Sequence, residues 1–294
     1  MARWLAVVNR AAGSSPTHLD DVVAALTAAG VDFRLESPRS PEEVRELLVA
    51  AAEEGVSHFA MAGGDGTVNL AANILLGIAG MPPPVIGVLP VGTGCDLLRT
   101  FGISQELGRA AEHLATEDVY DIDVALLEGA WGSRHFVNVA QVGVGAAAAQ
   151  TAPRLPRRIG SIRYPLAFAA RLPRFPAANV RIVTERRTYE SEALAVILAN
   201  AQFFAGGWNV APRATLIDGV LDVQVINCAK TRAPALVPKI IRGTHLSDPA
   251  VRRFSAASFE IDTDIPWPLE ADGDYIGNTP VKGRVVPAAL RLKI

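Results

Sequence analysis

Several features that define other protein classes are missing from this chain of 294 residues. Only two cysteines occur, Cys95 and Cys228, and their wide separation predicts neither a disulfide framework nor a cysteine metal site. A reducing, cytoplasmic setting is therefore expected. The apolar run at residues 4–8 is too short for the core of a signal peptide. The stretch 193–208 is interrupted by polar residues and glycines, so no membrane-spanning helix is predicted.

Acidic residues are absent from residues 151–184, although the whole chain carries a net charge of −2. Instead, this segment contains seven arginines: Arg154, Arg157, Arg158, Arg163, Arg171, Arg174 and Arg181. Apolar side chains are interleaved with them, which favours peripheral docking to an anionic membrane surface. We assign docking to Arg154, Arg157, Arg158 and Arg163. The alternatives are a solvated charged face or nucleic-acid binding, but no nucleic-acid-binding module is recognisable.

Strand and helix patterns alternate over the first part of the chain. Strands are predicted at residues 4–9, 33–36, 57–62 and 85–89, and helices at 17–29, 41–54 and 68–78. Such alternation indicates an α/β domain whose parallel sheet is covered on both faces. We predict that this domain spans residues 1–117.

Beyond residue 116 the pattern changes to strands separated by turns. These strands are predicted at residues 119–127, 134–142, 180–184, 193–198, 220–226, 254–263 and 281–291, with helices near 160–172 and 233–242. The prediction is a second, mainly antiparallel β-rich domain over residues 118–286. A strand near 287–294 is a candidate to return to the first domain.

The most informative motif is Gly63-Gly64-Asp65-Gly66-Thr67, which lies between a predicted strand and a predicted helix. Its glycines allow backbone N–H groups to approach an anion at the helix N-terminus. The alternative is an ordinary tight turn in which Asp65 or Thr67 caps the helix. Because a carboxylate repels phosphate, Asp65 indicates a metal ion or a substrate hydroxyl between the two.

Two further loops follow predicted strands: Gly92-Thr93-Gly94-Cys95-Asp96 and the polar stretch 9–15. In a parallel sheet these loops open at the same edge as the first motif. Three such loops suit a nucleoside triphosphate, and aspartates suit the divalent metal that phosphoryl transfer requires. Near the C-terminus, Glu270, Asp272 and Asp274 surround Gly273, which alone predicts a hairpin turn.

In this order the motifs resemble those of the diacylglycerol kinase catalytic family, which includes sphingosine kinases, ceramide kinases and small bacterial lipid kinases. The resemblance covers nearly the whole chain. Its later blocks are 136–138, 143–145, 206–207, Pro212, Ala214, Asp218-Gly219, 221–223 and 272–274. NAD kinases and phosphofructokinases share Gly-Gly-Asp-Gly-Thr, so the later blocks make the resemblance specific.

The resemblance implies an ATP- and Mg²⁺-dependent lipid kinase of phospholipid biosynthesis, acting in a nucleotide cleft between two domains on diacylglycerol or a similar lipid. It assigns nucleotide binding to Asn9, Gly63, Gly64, Gly66, Thr67, Gly92, Thr93 and Asp274. It assigns metal binding to Asp96, Asp123 and Asp218. It assigns the role of general base to Asp272 or, alternatively, to Asp65. The expected partners are the lipid, an anionic membrane and a second copy of the chain in a homodimer, with no nucleic acid.

Three residues depart from the family pattern. Cys95 replaces the usual Asn, Arg10 the usual Pro, and Asp274 the usual Glu. The shorter carboxylate of Asp274 is expected to weaken a metal or ribose contact. Two other functions therefore stay open: a kinase for a soluble acceptor such as NAD, and a non-catalytic homologue that binds nucleotide or membrane.

Overall fold

The computed structural model describes residues 3–8, 18–91 and 95–293, and for His18, Arg157 and Ser161 it describes only the backbone. The chain forms two compact units. The first comprises Met1–Asp123 and Pro287–Ile294, and the second comprises Val124–Val286. The strands Val119–Gly129 and Val281–Lys293 contribute residues to both units.

The first unit is an α/β domain, as predicted. Its elements are β1 (Trp4–Val8), α1 (His18–Ala28), β2 (Phe33–Glu36), α2 (Pro41–Glu53), β3 (His58–Gly63), α3 (Asp65–Leu76), β4 (Val85–Pro90), α4 (Asp96–Thr100), α5 (Leu107–Ala115) and the start of β5 (Val119–Gly129). The strand order is β2-β1-β3-β4, with every pair parallel. The end of the last strand pairs in parallel with β4, with Arg291 opposite Val85.

Local sequence explains why these elements form. Strand β1 is apolar throughout and fully buried, as expected for a central strand of a parallel sheet. At the start of α2, Ser40 accepts a hydrogen bond from the Glu43 N–H at 3.1 Å, and a proline follows at the first helical position. Val44, Leu48 and Ala51 recur at helical spacing and are buried. The helix therefore packs one apolar face into the core.

The second unit is rich in antiparallel β-structure, as predicted. Its elements are β6 (Gly132–Phe136), β7 (Val139–Gly143), α6 (Val144–Thr151), α7 (Arg163–Arg171), β8 (Ala178–Thr184), β9 (Thr188–Ala193), β10 (Ala195–Ala199), β11 (Phe203–Phe204), β12 (Trp208–Asn209), β13 (Leu221–Ile226), α8 (Ala233–Ile241), β14 (Val251–Ala256), β15 (Ser258–Thr263), β16 (Pro268–Ala271), β17 (Asp274–Asn278) and the start of β18 (Val281–Lys293). Six strands form an antiparallel sheet in the order β14-β13-β10-β7-β16-β17. Strand β15 pairs with β8 and β18, and β9 pairs with β8.

Some predicted strands are divided in the structure. The predicted strand 134–142 is two strands, β6 and β7, because the N–H groups of Val137, Asn138 and Val139 bind the carboxylate of Asp272. The predicted strand 254–263 divides into β14 and β15 at Ala257, whose N–H binds Glu185 at 3.2 Å. Both interruptions come from residues distant in sequence, so local periodicity does not reveal them.

The helices of the second unit also differ from the prediction. The predicted helix 160–172 is a short 3₁₀ segment, Arg157–Ile162, followed by α7. Helix α6 was not predicted, because its alanine-rich sequence follows a strand without a polar break. In the described part of the chain, no helix is long and apolar enough to span a membrane.

Candidate active site

The first candidate element is the turn that joins β3 to α3. Gly64 is the N-cap residue of α3, so neither Asp65 nor Thr67 caps this helix. A side chain at Gly63 would come within 2.2 Å of the Thr67 hydroxyl, whereas a side chain at Gly66 would meet no atom of the described residues within 4 Å. The buried Thr67 hydroxyl has no hydrogen-bond partner among the described residues. The turn therefore presents an open backbone and an unused hydroxyl at a helix N-terminus.

Asp65 connects this turn to the start of α4. Its carboxylate accepts hydrogen bonds from the N–H groups of Asp96 at 2.8 Å and Leu97 at 3.0 Å. The β3–β4 register pairs Gly63 with Pro90, so the strands that precede the two glycine-rich turns end side by side. Residues 92–94 of the second turn lie outside the described residues, so its opening at the same sheet edge stays a prediction.

Cys95 occupies the position where the family pattern has Asn. Its buried thiol donates a hydrogen bond to the Asp65 carboxylate at 3.5 Å. Burial raises the pKa of the Cys95 thiol, and the nearby charge of Asp65 raises it further. The side chain therefore stays protonated and keeps a donor, although a weak one, toward Asp65.

The two aspartates predicted to bind metal in the first unit are both buried. Asp96 lies 3.5 Å from the guanidinium of Arg99, and Asp123 accepts a hydrogen bond from the Ala288 N–H at 3.0 Å. Among the described residues, no group of three or more His, Cys, Asp or Glu side chains forms a ready cation site. The predicted nucleotide-binding residues Asn9, Gly92 and Thr93 lie outside the described residues.

The second candidate element is the β16–β17 hairpin, as its sequence predicts. Asp272 and Gly273 form its turn with positive φ angles of 47° and 91°, the backbone geometry of a type I′ turn. The Asp272 carboxylate accepts hydrogen bonds from the N–H groups of Val137, Asn138 and Val139 at 2.8, 2.9 and 3.0 Å. Two sequence blocks more than a hundred residues apart therefore meet at one carboxylate.

The other acidic residues of this hairpin have different environments. Asp274 is exposed and forms an ion pair with Arg134 at 2.9 Å. Glu270 is fully buried, and its carboxylate accepts the Gly273 N–H at 2.8 Å. Burial raises the pKa of Glu270 well above its ordinary value, and the charges of the neighbouring aspartates also raise it. Burial therefore favours the protonated form of Glu270, and its hydrogen bond to the Gly273 N–H supports the turn.

An apolar cavity of about 630 Å³, including its open mouth, lies within the second unit. It is lined by α7 and α8 together with β7 and β10, and its side chains include Phe168, Leu236 and Ile240. Gln141 and Tyr164 are its polar lining side chains, and their amide and hydroxyl groups form a hydrogen bond at 3.3 Å. Burial raises the pKa of Tyr164, so its hydroxyl stays neutral.

Comparison with known proteins identifies the family. The diacylglycerol kinase catalytic domain model matches residues 3–127, and the YegS C-terminal NAD kinase beta sandwich-like domain model matches residues 138–294. The chain belongs to the diacylglycerol kinase family. The resemblance noted from the sequence motifs is thus confirmed, and the family agrees with the prediction of a kinase that acts on a hydroxyl.

Individual relatives cover most of the chain. A diacylglycerol kinase of Mycobacterium tuberculosis (strain ATCC 25618 / H37Rv) is 28% identical over 95% of this chain and 90% of its own length. The protein named "Probable lipid kinase YegS" of Escherichia coli O9:H4 (strain HS) is 26% identical, with 88% and 83% covered. The crystal structure of a candidate diacylglycerol kinase from Bacillus anthracis str. Sterne superposes with a TM-score of 0.80 and 25% identity, over 99% of this chain and 96% of that one.

The remaining predicted residues of this diacylglycerol kinase family member lie on the surface of the second unit. Asp218 is exposed, and its carboxylate accepts a hydrogen bond from the Val220 N–H at 3.2 Å. Arg154 and Arg158 are exposed, and Arg163 is partly buried. The side chain of Arg157 lies outside the described residues. Close to these arginines in sequence, Ile162 and Leu166 are exposed apolar side chains, at 58% and 48%.

Sequence reasoning missed two features of the site. Glu270 follows the apolar residues 265–269 and precedes Ala271, and that contrast is the signal that could have revealed its burial. The cavity has no comparable signal, because its lining residues come from many separate segments and only their arrangement creates the space.

Proposed function

We propose that the protein transfers the γ-phosphate of ATP to a hydroxyl of diacylglycerol or a similar lipid. The apolar cavity of the second unit supports a lipid acceptor over a soluble one. Apolar side chains dominate its lining, and Gln141 and Tyr164 supply its polar groups, which is the composition typical of a site for an apolar ligand. NAD would need charged or strongly polar partners that this lining lacks.

The β3–α3 turn is the proposed phosphate site. Backbone N–H groups and the positive end of the α3 dipole favour an anion at this position. The open space at Gly66 admits a phosphate group, and the unused Thr67 hydroxyl can donate a hydrogen bond to its oxygen. Gly63 allows Thr67 to pack against β3, because any side chain there would collide with it.

The chain's carboxylates fit the magnesium ion that the family implies. Mg²⁺ prefers oxygen ligands, and one or two carboxylates together with substrate phosphates usually hold it. Asp96 and Asp123 are the buried carboxylates proposed for this role, with Asp218 proposed for a separate cation. When bound, the ion would neutralise charge on the phosphate oxygens. Asp65 holds the start of α4, and thereby Asp96, in place.

Asp272 is the proposed general base. The acceptor oxygen forms a bond to the γ-phosphorus, the bond from that phosphorus to the β-phosphate bridging oxygen breaks, and ADP leaves. The proton of the acceptor hydroxyl passes to the Asp272 carboxylate. Three backbone N–H groups orient this carboxylate, so it needs no rearrangement before reaction. Asp65 is the alternative base.

A direct assay with labelled ATP and Mg²⁺ tests this function. The acceptors are micellar diacylglycerol, monoacylglycerol, ceramide and sphingoid base, with NAD as the soluble comparison. We expect a labelled lipid product. In addition, Val237→Trp fills the cavity from α8 and should raise KM for the lipid about tenfold or more, with KM for ATP unchanged.

The matched control is Ala235→Trp, an exposed position on the same helix that does not line the cavity. It should leave both KM values within about twofold of wild type. A labelled NAD product would replace the lipid proposal by the soluble-acceptor function. ATP binding without any labelled product would favour the non-catalytic homologue.

We also propose that the arginine-rich segment docks the protein on anionic membranes. Replacing Arg154, Arg158 and Arg163 by glutamine should weaken binding to vesicles of phosphatidylcholine and phosphatidylglycerol. Each basic residue near an anionic surface contributes about 1 kcal/mol, so the triple variant should bind roughly a hundredfold less at low salt. Vesicle co-sedimentation over a salt series measures the change.

The control for docking is Arg213→Gln/Arg252→Gln, which neutralises exposed arginines of the same unit outside this segment. Similar losses in both variants would indicate a diffuse effect of net charge. Unchanged binding of the triple variant would show that the segment is only a solvated face.

A further inference from the structure

A groove lined by Arg171 and Arg174 lies on the second unit, and it shares no lining residue with the apolar cavity. Its volume is about 710 Å³, including open solvent. Arg171 is the last residue of α7, and Arg174 ends the short 3₁₀ turn that follows. The two arginines therefore lie on adjoining helical turns, and both line the same groove.

Arg171 and Arg174 give this groove its positive charge, and no acidic side chain of the described residues lines it. Within the described part of the chain, neither Arg171 nor Arg174 forms an ion pair, whereas Arg181 of the same arginine-rich segment pairs with Glu190. Asp264 is close in sequence to the groove residue Pro266, but both of its oxygens accept hydrogen bonds from Asn179, at 3.0 and 2.8 Å.

The walls of the groove are fixed by packing. The Phe175 and Trp267 rings lie 5.4 Å apart between centroids, and both side chains are buried. Pro176, Pro266 and Pro268 also line the groove and restrict its backbone. The surface on which the arginines lie is therefore more rigid than an ordinary loop.

The groove also contains neutral hydrogen-bond donors. The amide side chains of Gln150 and Asn278 line it. The buried indole N–H of Trp267 has no acceptor among the described residues. An anion with several oxygens could accept hydrogen bonds from these donors and pair with the two arginines at the same time.

We propose that this groove binds a phosphate group, separate from the phosphate that is transferred in catalysis. Arginine suits phosphate because its planar guanidinium donates two parallel hydrogen bonds to neighbouring oxygens. The phosphate belongs either to the headgroup of an anionic phospholipid or to a soluble phosphomonoester or inorganic phosphate. This second site does not depend on the proposed kinase activity, since its binding residues take no part in phosphate transfer.

Binding of two probes to the full chain tests the proposal. The first is dihexanoyl phosphatidylglycerol below its micelle concentration, and the second is inorganic phosphate, each titrated by calorimetry. We expect one saturable site for at least one probe. Arg171→Gln/Arg174→Gln should weaken it about tenfold or more, because charge-assisted hydrogen bonds are lost. The control Arg213→Gln/Arg252→Gln removes the same charge elsewhere and should change the affinity less than about twofold.

A second variant separates a built groove from diffuse positive charge. Ala170 is an exposed lining residue, so Ala170→Trp occupies the groove but retains both arginines. We expect this variant to lose binding as well. Saturable binding of phosphatidylglycerol alone would assign the site to a lipid headgroup, and equal competition by inorganic phosphate would assign it to a soluble anion.

Three results would overturn the proposal: no saturable binding of either probe, full binding in Ala170→Trp, or equal losses in the control. Kinase turnover of the same samples is a separate measurement. A protein without turnover that still binds phosphate would contradict the proposed function and leave this site intact.

Discussion

Asp272→Asn should reduce kcat by about 10² to 10⁴, the range typical for loss of a general base. Asn has almost the same size as Asp but cannot accept the proton of the acceptor hydroxyl. Because the base acts at the transferring phosphate, ATP affinity should stay within a few-fold of wild type. Steady-state kinetics with saturating lipid and an independent ATP-binding titration measure the two quantities.

The same substitution should also destabilise the second unit. The Asp272 carboxylate accepts three backbone N–H groups, but an asparagine amide has only one acceptor oxygen and an NH₂ that donates. At least one backbone N–H then loses its acceptor, at a cost of about 1–3 kcal/mol. Thermal unfolding must therefore be measured beside turnover, and kinetics must be recorded well below the variant's Tm.

Asp264→Asn separates stability from catalysis. The carboxylate of Asp264 also joins two segments of the second unit, through the Asn179 backbone and amide. This variant should lose stability and keep kcat within about twofold of wild type. If Asp272→Asn were to keep more than a third of the wild-type kcat, Asp272 would not be the base, and Asp65 would take its place.

The first half of the site could be predicted from the sequence because it depends on local features. Gly63, Gly64 and Gly66 follow an apolar strand, and that pattern alone places a strand–turn–helix unit. Parallel pairing of neighbouring strands then brings the next glycine-rich turn to the same edge. The register of β3 and β4 agrees with this expectation.

The contacts of the aspartates could not be predicted in the same way. The Asp65 carboxylate binds N–H groups at the start of α4, about thirty residues further along the chain. The Asp272 carboxylate binds N–H groups within the predicted strand 134–142, more than a hundred residues away. Periodicity describes one segment at a time. The periodicity of residues 134–142 therefore predicts one continuous strand, although the distant Asp272 carboxylate binds three backbone N–H groups in the middle of this segment.

The two concave surfaces of the second unit were the least predictable. The apolar cavity and the arginine groove each combine residues from several elements, and their volumes depend on how side chains pack. The sequence did indicate the chemistry of this region, through seven arginines among apolar residues. It could not separate Arg171 and Arg174, which line a concave groove, from Arg154 and Arg158, which do not line it.

Asp65→Asn should also lower kcat strongly, by about tenfold to a thousandfold, for a different reason. The Asp65 carboxylate accepts the N–H groups of Asp96 and Leu97 with separate oxygens. Asparagine satisfies only one of them and removes the negative charge. The start of α4 then shifts, and Asp96 moves away from the position proposed for binding Mg²⁺. Positional errors of about 1 Å can cost a hundredfold in rate.

The metal dependence of the rate distinguishes this positioning role from that of a base. If Asp65 orients Asp96, the Asn variant should need a higher Mg²⁺ concentration for half-maximal turnover, and saturating Mg²⁺ should recover part of kcat. If Asp65 is the base, kcat should stay low at every Mg²⁺ concentration.

Cys95→Ala is the matched control for Asp65. It removes the weak thiol donor to Asp65 but leaves both backbone hydrogen bonds in place. Turnover and Mg²⁺ dependence should therefore stay within a few-fold of wild type, apart from the stability lost with a small buried side chain. A loss as large as that of Asp65→Asn would mean that the thiol, and not the backbone N–H pair, holds this carboxylate in its working position.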